Sequence, residues 1–181
     1  MPATRYDAKG LLISCVMDSN PVVYIDERWL YGHKGDVPEE MYTVPIGKGA
    51  VRREGKDVTI VATSYMVFEA MRASEILEKE GVDAEVIDLR TLKPLDESLI
   101  FGSVKKTGRM VVADSAWRSF GAGAEIMARV VESDVFRCLR APVVRVSLPD
   151  MLTPASRALE KAYYPDAMAI AAAVRNVMGD K

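Results

Sequence analysis

Through the middle and C-terminal stretch of the chain, short runs of β-branched residues alternate with longer segments in which apolar positions recur every three or four residues. Solid apolar runs of this length mark buried strands and a period near 3.6 marks helices, so the alternation predicts an α/β fold around a mostly parallel sheet. VTIVAT (58–63), AEVIDL (84–89), RMVVAD (109–114) and VVRVSL (143–148) read as strands, each bounded by Gly, Pro or Asp. AVRR (50–53) precedes the turn signal EGKD and is expected to form a hairpin with 58–63, which makes the first strand antiparallel. The first crossover helix, 65–80, carries Val67, Ala70, Met71, Ser74 and Leu77 at helical spacing and stops at Gly81. A second, 95–106, is announced by Pro94 and Asp96 and closes on Lys105 and Lys106, cations that suit the negative end of a helix dipole. Helices over 123–131 and 166–178 complete the pattern, and right-handed crossovers then give a three-layer αβα sandwich.

The first 43 residues break this repeat. Residues 7–17 read as a short helix with Asp7 as its cap, NPVVYID (20–26) as a strand, and GHKGDVPEE (32–40) as a polar linker. One helix and one strand cannot bury a core of their own, so residues 1–43 are expected to be the tail of another domain and 44–181 the sandwich.

Composition narrows the function classes. Apolar residues make up 49% and charged residues 28% of the 181, which supports a packed core and argues against disorder. With Lys+Arg 24 against Asp+Glu 26, the surface has no electrostatic footprint for nucleic acid or an anionic membrane. Cys15 and Cys138 stand apart, without the spacing of a zinc site or a disulfide framework, so a reducing cytoplasm is the expected location. No targeting segment and no long apolar span is evident.

The motifs that could carry chemistry are incomplete. SFGAGAEI follows a predicted strand and opens a helix, where backbone N–H groups from Gly121 onward could cradle a phosphate. The third glycine of a dinucleotide fingerprint is missing, and Glu125 in the first turn would repel an anion, so a tight strand-to-helix turn is the plainer reading. Asp88, Arg90, Asp114 and Asp150 fall at or just past strand C-termini, where open α/β sheets bind ligands, although helix capping and loop solvation account for them more simply. His33, the one histidine, lies in the linker and reads as solvated. Trp29, Tyr31, Trp117, Phe120, Tyr163 and Tyr164 sit in predicted loops, as contact-anchoring aromatics often do. Ser64 and Ser115 follow strands, but neither sits in a nucleophile elbow.

The order DAKGLL, DSNPVVYIDERWLYGHKGDVPEE, YTVPIGKGAVRREGKDVTIVAT, AEVIDLRTLKPLD, KKTGRMVVADSAWRSFGAGAEI, APVVRVSLPD and LEKAYYPD resembles the C-terminal half of the beta subunit of thiamine-diphosphate-dependent 2-oxoacid dehydrogenases, relatives of transketolase that act on pyruvate, branched-chain 2-oxoacids or acetoin. The resemblance implies a five-stranded mixed sheet with the first strand antiparallel, and makes residues 1–43 the end of a pyrimidine-binding domain plus a linker. It implies that the family's catalytic groups lie outside this chain, so no residue here inherits a catalytic or cofactor-binding role. The isolated chain is then expected to be inactive, with thiamine diphosphate and Mg2+ belonging to the full enzyme only. The helix end SCVMDSNP resembles a turn that holds a potassium ion in some members, which implies Cys15, Val16, Asp18 and Asn20 as main-chain ligands. The implied partners are the pyrimidine domain, the alpha subunit, a second copy of the chain, and the acyltransferase core, with Asp150 and the last helix as its docking candidates. ADSAW (113–117) departs from the His- or Asn-Glu-Ala sequence of many members, which leaves the substrate open. A rival reading is a stand-alone module that binds a small anionic ligand at the turn from Gly121 to Glu125.

Overall fold

The computed structural model describes residues 1–179. Its sheet comprises β1 (Ala50–Arg53), β2 (Val58–Ala62), β3 (Ala84–Asp88), β4 (Met110–Trp117) and β5 (Val144–Leu148), in the order β1-β3-β2-β4-β5. β2, β3, β4 and β5 run parallel and β1 is antiparallel. The antiparallel first strand is as expected, but its partner is not. β1 pairs with β3 and makes no hairpin with β2. Both edges of β2 are taken by the parallel neighbours β3 and β4. All five residues of β2 are buried, and the less buried β1 is left to the sheet edge.

Strand alternation divides the core in two. Val58, Ile60 and Ala62 of β2, with Val86 and Val111, face α2 (Tyr65–Lys79) and α6 (Ala167–Met178). Val61, Ile87, Met110 and Val112 point the other way, against α3 (Glu97–Thr107) and α4 (Ala122–Glu132). Thr59 also falls on that second face, where its buried hydroxyl is satisfied by Ser103 at 2.6 Å and Thr107 at 2.8 Å. Helix ends follow local chemistry: the Asp96 carboxylate caps α3, Gly108 closes it in the left-handed conformation, and Asp166 caps α6 through the N–H groups of Met168 and Ala169.

The N-terminal helix α1 spans Arg5–Met17, and its cap is Thr4, whose hydroxyl oxygen accepts from the Asp7 N–H at 3.1 Å. Asp7, expected as the cap, lies inside the first turn and is fully buried. The expected strand over 20–26 has no sheet partner among the described residues, and a 3-10 turn at Arg28–Gly32 leads from it into the linker. A second 3-10 turn (Asp134–Cys138) and the short helix α5 (Arg157–Tyr163) carried no clear period in the sequence.

Candidate functional site

In an open α/β sheet, ligands enter beyond the strand C-termini at the point where the strand order reverses, which here lies between β2 and β4. This crevice is occupied by the chain itself. Ser64, at φ +47°, donates its hydroxyl to the Pro2 carbonyl at 3.1 Å. The Glu27 carboxylate accepts from the Tyr65 N–H at the start of α2, at 3.1 Å, and from the Ser115 hydroxyl at 3.4 Å. On β4, Asp114 accepts from the N–H groups of Gly123 and Ala116, each at 3.2 Å. Both helix N-termini that could hold an anion therefore already carry an internal carboxylate. Gly121 serves the tight turn: a side-chain Cβ there would stand 2.4 Å from the Trp117 carbonyl oxygen. These contacts favour the turn reading of SFGAGAEI over a ligand seat.

A second cluster fixes α1 to the sheet. Asp7 and Asp88 are both fully buried, and Arg52 on β1 bonds to both carboxylates, reaching Asp88 Oδ2 at 2.6 Å. Arg90, at φ +57°, places Nη2 2.8 Å from Asp7 Oδ1, an ion pair angled outside hydrogen-bond geometry, so Oδ1 has no hydrogen-bond partner. The Arg90 carbonyl accepts from the Met1 ammonium at 2.8 Å. Burial pushes the Asp88 carboxyl above its ordinary value even against the pull of Arg52. Burial also lowers the Met1 amino group, whereas Arg52 is held up because Asp88 and Asp7 outweigh its own desolvation. The sequence marked Asp88 and Arg90 as strand-end residues. Asp7 and Arg52 were not paired with them, because nothing local shows that residues so far apart in the chain meet.

The outer face of this N-terminal region remains apolar and open. Leu12, Val16 and Met17 on α1, and Val22, Val23 and Ile25 beside it, are all exposed, Val23 to 85%. A groove of about 610 Å³ runs between Ala8, Leu12 and Ile13 of α1 and Leu30, Tyr31 and His33 of the linker. A second, of about 480 Å³, is lined by Cys15, Asp18 and Asn20 at the end of α1 together with Val22, Leu92 and Pro94. His33 is not simply solvated, since it packs edge-on against Phe68 with ring centroids 4.3 Å apart.

Of the remaining predicted residues, Asp150 and the aromatics around it are separate from this face. Asp150 is exposed and holds Ser119 through its N–H at 3.0 Å and its hydroxyl at 2.8 Å, bonds that keep its carboxyl below the ordinary range. Beside it stand exposed Trp117, Phe120 and Leu152, Phe120 in the left-handed conformation at φ +59°. Tyr163 is buried and takes the Trp117 indole N–H on its hydroxyl at 3.1 Å. Asp18 turns back onto the N–H and side-chain amide of Asn20, which lowers its carboxyl. Cys15 and Cys138 are free thiols. Among the described residues no cluster of three or more His, Cys, Asp or Glu is placed to hold a metal ion, and no helix is long and apolar enough to cross a membrane.

The fold and its packed strand ends define a transketolase-type α/β domain, and the comparisons agree. Residues 47–170 match the family "Transketolase, C-terminal domain", and the chain belongs to that family. It is 44% identical over 177 residues to the beta subunit of acetoin:2,6-dichlorophenolindophenol oxidoreductase from Cupriavidus necator, covering 98% of this chain and 52% of that protein. It is 42% identical over 179 residues to the pyruvate dehydrogenase E1 component subunit beta of Bacillus subtilis, covering 98% of this chain and 54% of the relative. The chain thus spans about half the length of these curated relatives. Among solved structures it is similar to a split-gene transketolase described as an inactive beta4 tetramer, with 34% identity and a TM-score of 0.68 over 75% of this chain and 44% of that one. The five-stranded mixed sheet read from the resemblance is therefore present, and the beta-subunit likeness extends through the N-terminal region.

Proposed function

We propose that the chain supplies the C-terminal half of the beta subunit of a thiamine-diphosphate-dependent 2-oxoacid dehydrogenase, and that its role there is assembly. The observation that carries this reading is the contrast at residues 1–43: the inner side is bonded to the sandwich through Asp7, Ser14 and Glu27, while the outer side leaves a helix and an extended segment with six large apolar side chains exposed. That face suits the rest of a pyrimidine-binding domain, of which residues 1–43 are the end, and 44–181 form the transketolase-type domain. In the whole enzyme the cofactor would supply the carbanion chemistry of decarboxylation. In this reading the residues that would hold its Mg2+ and diphosphate belong to the rest of the enzyme, and this chain's part is to keep that half in place.

Two finer assignments accompany it. The carbonyls of Cys15, Val16, Asp18 and Asn20 would hold a monovalent cation at the end of α1, where the helix leaves C=O groups without intrahelical partners. Asp150, ionised and already oriented by Ser119, would meet a basic surface of the acyltransferase core. The alpha subunit and a second copy of this chain are the other expected partners.

The test is reconstitution. The purified chain, given thiamine diphosphate, Mg2+, pyruvate or branched-chain 2-oxoacids and an artificial oxidant, is expected to show no turnover. Activity is expected only on co-expression with the remaining half of a beta subunit and an alpha subunit, and is expected to be higher in KCl than in LiCl. Turnover by the chain alone would overturn the proposal.

A further inference from the structure

A cavity of about 650 Å³ lies apart from the N-terminal face, between the linker, the start of α2 and the segment from α5 to α6. Its aromatic wall is made by Trp29, Tyr65 and Tyr164. Trp29 lies tilted against Tyr164 with centroids 4.8 Å apart, and edge-on to Tyr65 at 5.3 Å. The volume is in the range that small-molecule sites occupy, and mixed aromatic and polar walls are their usual lining.

The polar groups of the cavity fall into two sets. In the first, everything is satisfied. Glu69, only 2% exposed, accepts from the Tyr65 hydroxyl at 2.8 Å, from Arg72 at 3.1 Å and from the Ala167 N–H at 2.8 Å. Burial and this bond push the Tyr65 hydroxyl up to about 12, so it stays a donor. Asp166 is engaged at the cap of α6. In the second set, Arg157, Lys161, the Trp29 indole N–H and the Tyr164 hydroxyl make no side-chain hydrogen bond or ion pair among the described residues. Arg157 and Lys161 are four residues apart on α5, so they share a helix face, where like charges repel. Glu160 also lines the cavity, yet it bridges neither of them within ion-pair distance.

We propose that this cavity binds a small aromatic anion of the nucleotide type, with its ring against Trp29 and Tyr164 and its phosphate on Arg157 and Lys161. The chemistry is specific in two respects. A planar ring gains from contact with the indole of Trp29 and the half-buried phenol of Tyr164, and the phosphate gives Arg157 and Lys161 the close ion pair that Glu160 and Asp166, on the same wall, do not supply. The free groups are donors, apart from Glu160 and the Tyr164 hydroxyl, which matches an acceptor-rich ligand. The site is distinct from the open N-terminal face: of its residues only Trp29 belongs to 1–43, and Trp29 lines neither groove there.

The probe is ADP, titrated into the full chain while tryptophan fluorescence is followed. Trp29 is on the cavity wall and Trp117 is not among its lining residues, so Trp29→Phe identifies the signal. Saturable quenching is expected with a half-point of about 0.1–1 mM, the range of a modest open site. Adenosine, which has the ring without the charge, and inorganic pyrophosphate, which has the charge without the ring, should each bind about tenfold more weakly. The double substitution Arg157→Ala/Lys161→Ala should raise the half-point about tenfold, because it removes both charge-assisted contacts. Tyr164→Leu, which alters the aromatic wall only, should weaken binding independently, and whichever variant keeps its circular dichroism spectrum decides the matter. The proposal is overturned if ADP gives no saturable change up to about 10 mM, if pyrophosphate alone binds as well as ADP, or if a folded variant binds ADP unchanged.

Discussion

The sandwich and the N-terminal region are held by different forces. Every residue of β2 and β3 is buried, whereas from residue 18 to 26 every residue except Tyr24 is exposed. α2 buries seven of its residues and α1 three, one of which is the charged Asp7. What holds α1 is directional. Lys9 donates to the carbonyls of Pro38, Glu39 and Glu40, Ser14 to the Val44 carbonyl at 2.6 Å, and Tyr24 to the Ala8 carbonyl at 2.9 Å. Apolar burial is not directional and tolerates small displacements, but polar clamps fix one geometry. The difference suits a region whose outer face is kept in position for another surface.

The largest effect should come from the sandwich. Ile87 is fully buried between β3 and the α3–α4 layer, and Ile87→Ala leaves a cavity worth about 3–4 kcal/mol. Urea unfolding should show the midpoint falling without a change in slope. The matching truncation Val23→Ala, at a residue 85% exposed, should stay within about 0.5 kcal/mol of the parent. If Val23→Ala cost as much as Ile87→Ala, the open face would not be open in solution.

The same contrast governs what could be read from the sequence. The buried strands were legible because a solid apolar run as short as VTIVAT suits a strand covered on both faces and is too short for a helix, and β2 and β3 lie where the pattern put them, within a residue or two. The starts of α3 and α6 were legible to within a residue or two, because Asp96 and Asp166 act locally, although both prove to be caps outside the helices that the pattern began at 95 and 166. The pairing of β1 was not, since AVRR can reach β3 as readily as β2 and only the competition for the edges of β2 decides between them. Asp7 misled for the same reason: its place two residues into a helix looks like a cap until Arg52 and Arg90 arrive from the sheet. Glu27 carried no signal at all, because its target is the Tyr65 N–H, 38 residues away.

The clamp provides the next test. Asp7→Asn takes the counter-charge from half-buried Arg90 and one of the two from Arg52, and should cost about 2 kcal/mol. The loss should be local. Hydrogen exchange should show the amides of α1 losing protection while those of β2 and β3 keep it, as expected of a region that opens separately. Equal loss in both would show the two regions to be one cooperative unit, and the contrast drawn from burial would fail as a statement about stability.

The smallest effect separates two carboxylates by the sign of their pH dependence. Asp96 is opposed by its own burial, but the Ser98 hydroxyl and the N–H groups of Gly49 and Leu99 prevail and hold its carboxyl below 3.8. Its contribution is therefore complete above pH 3.8 and is lost as the pH falls through the lower folded value. Asp88 behaves oppositely. Burial raises its carboxyl in the folded state, so protonation between that raised value and 3.8 favours the fold. Asp96→Ala should then cost about 1 kcal/mol at neutral pH, the usual worth of a helix cap. The gap from the parent should narrow once the pH passes below 3.8. Thermal melts of the pair from neutral pH downward check this. A gap that stayed constant into acid would mean that the cap works through its oxygen atoms alone, with no contribution from the charge at the N-terminus of α3.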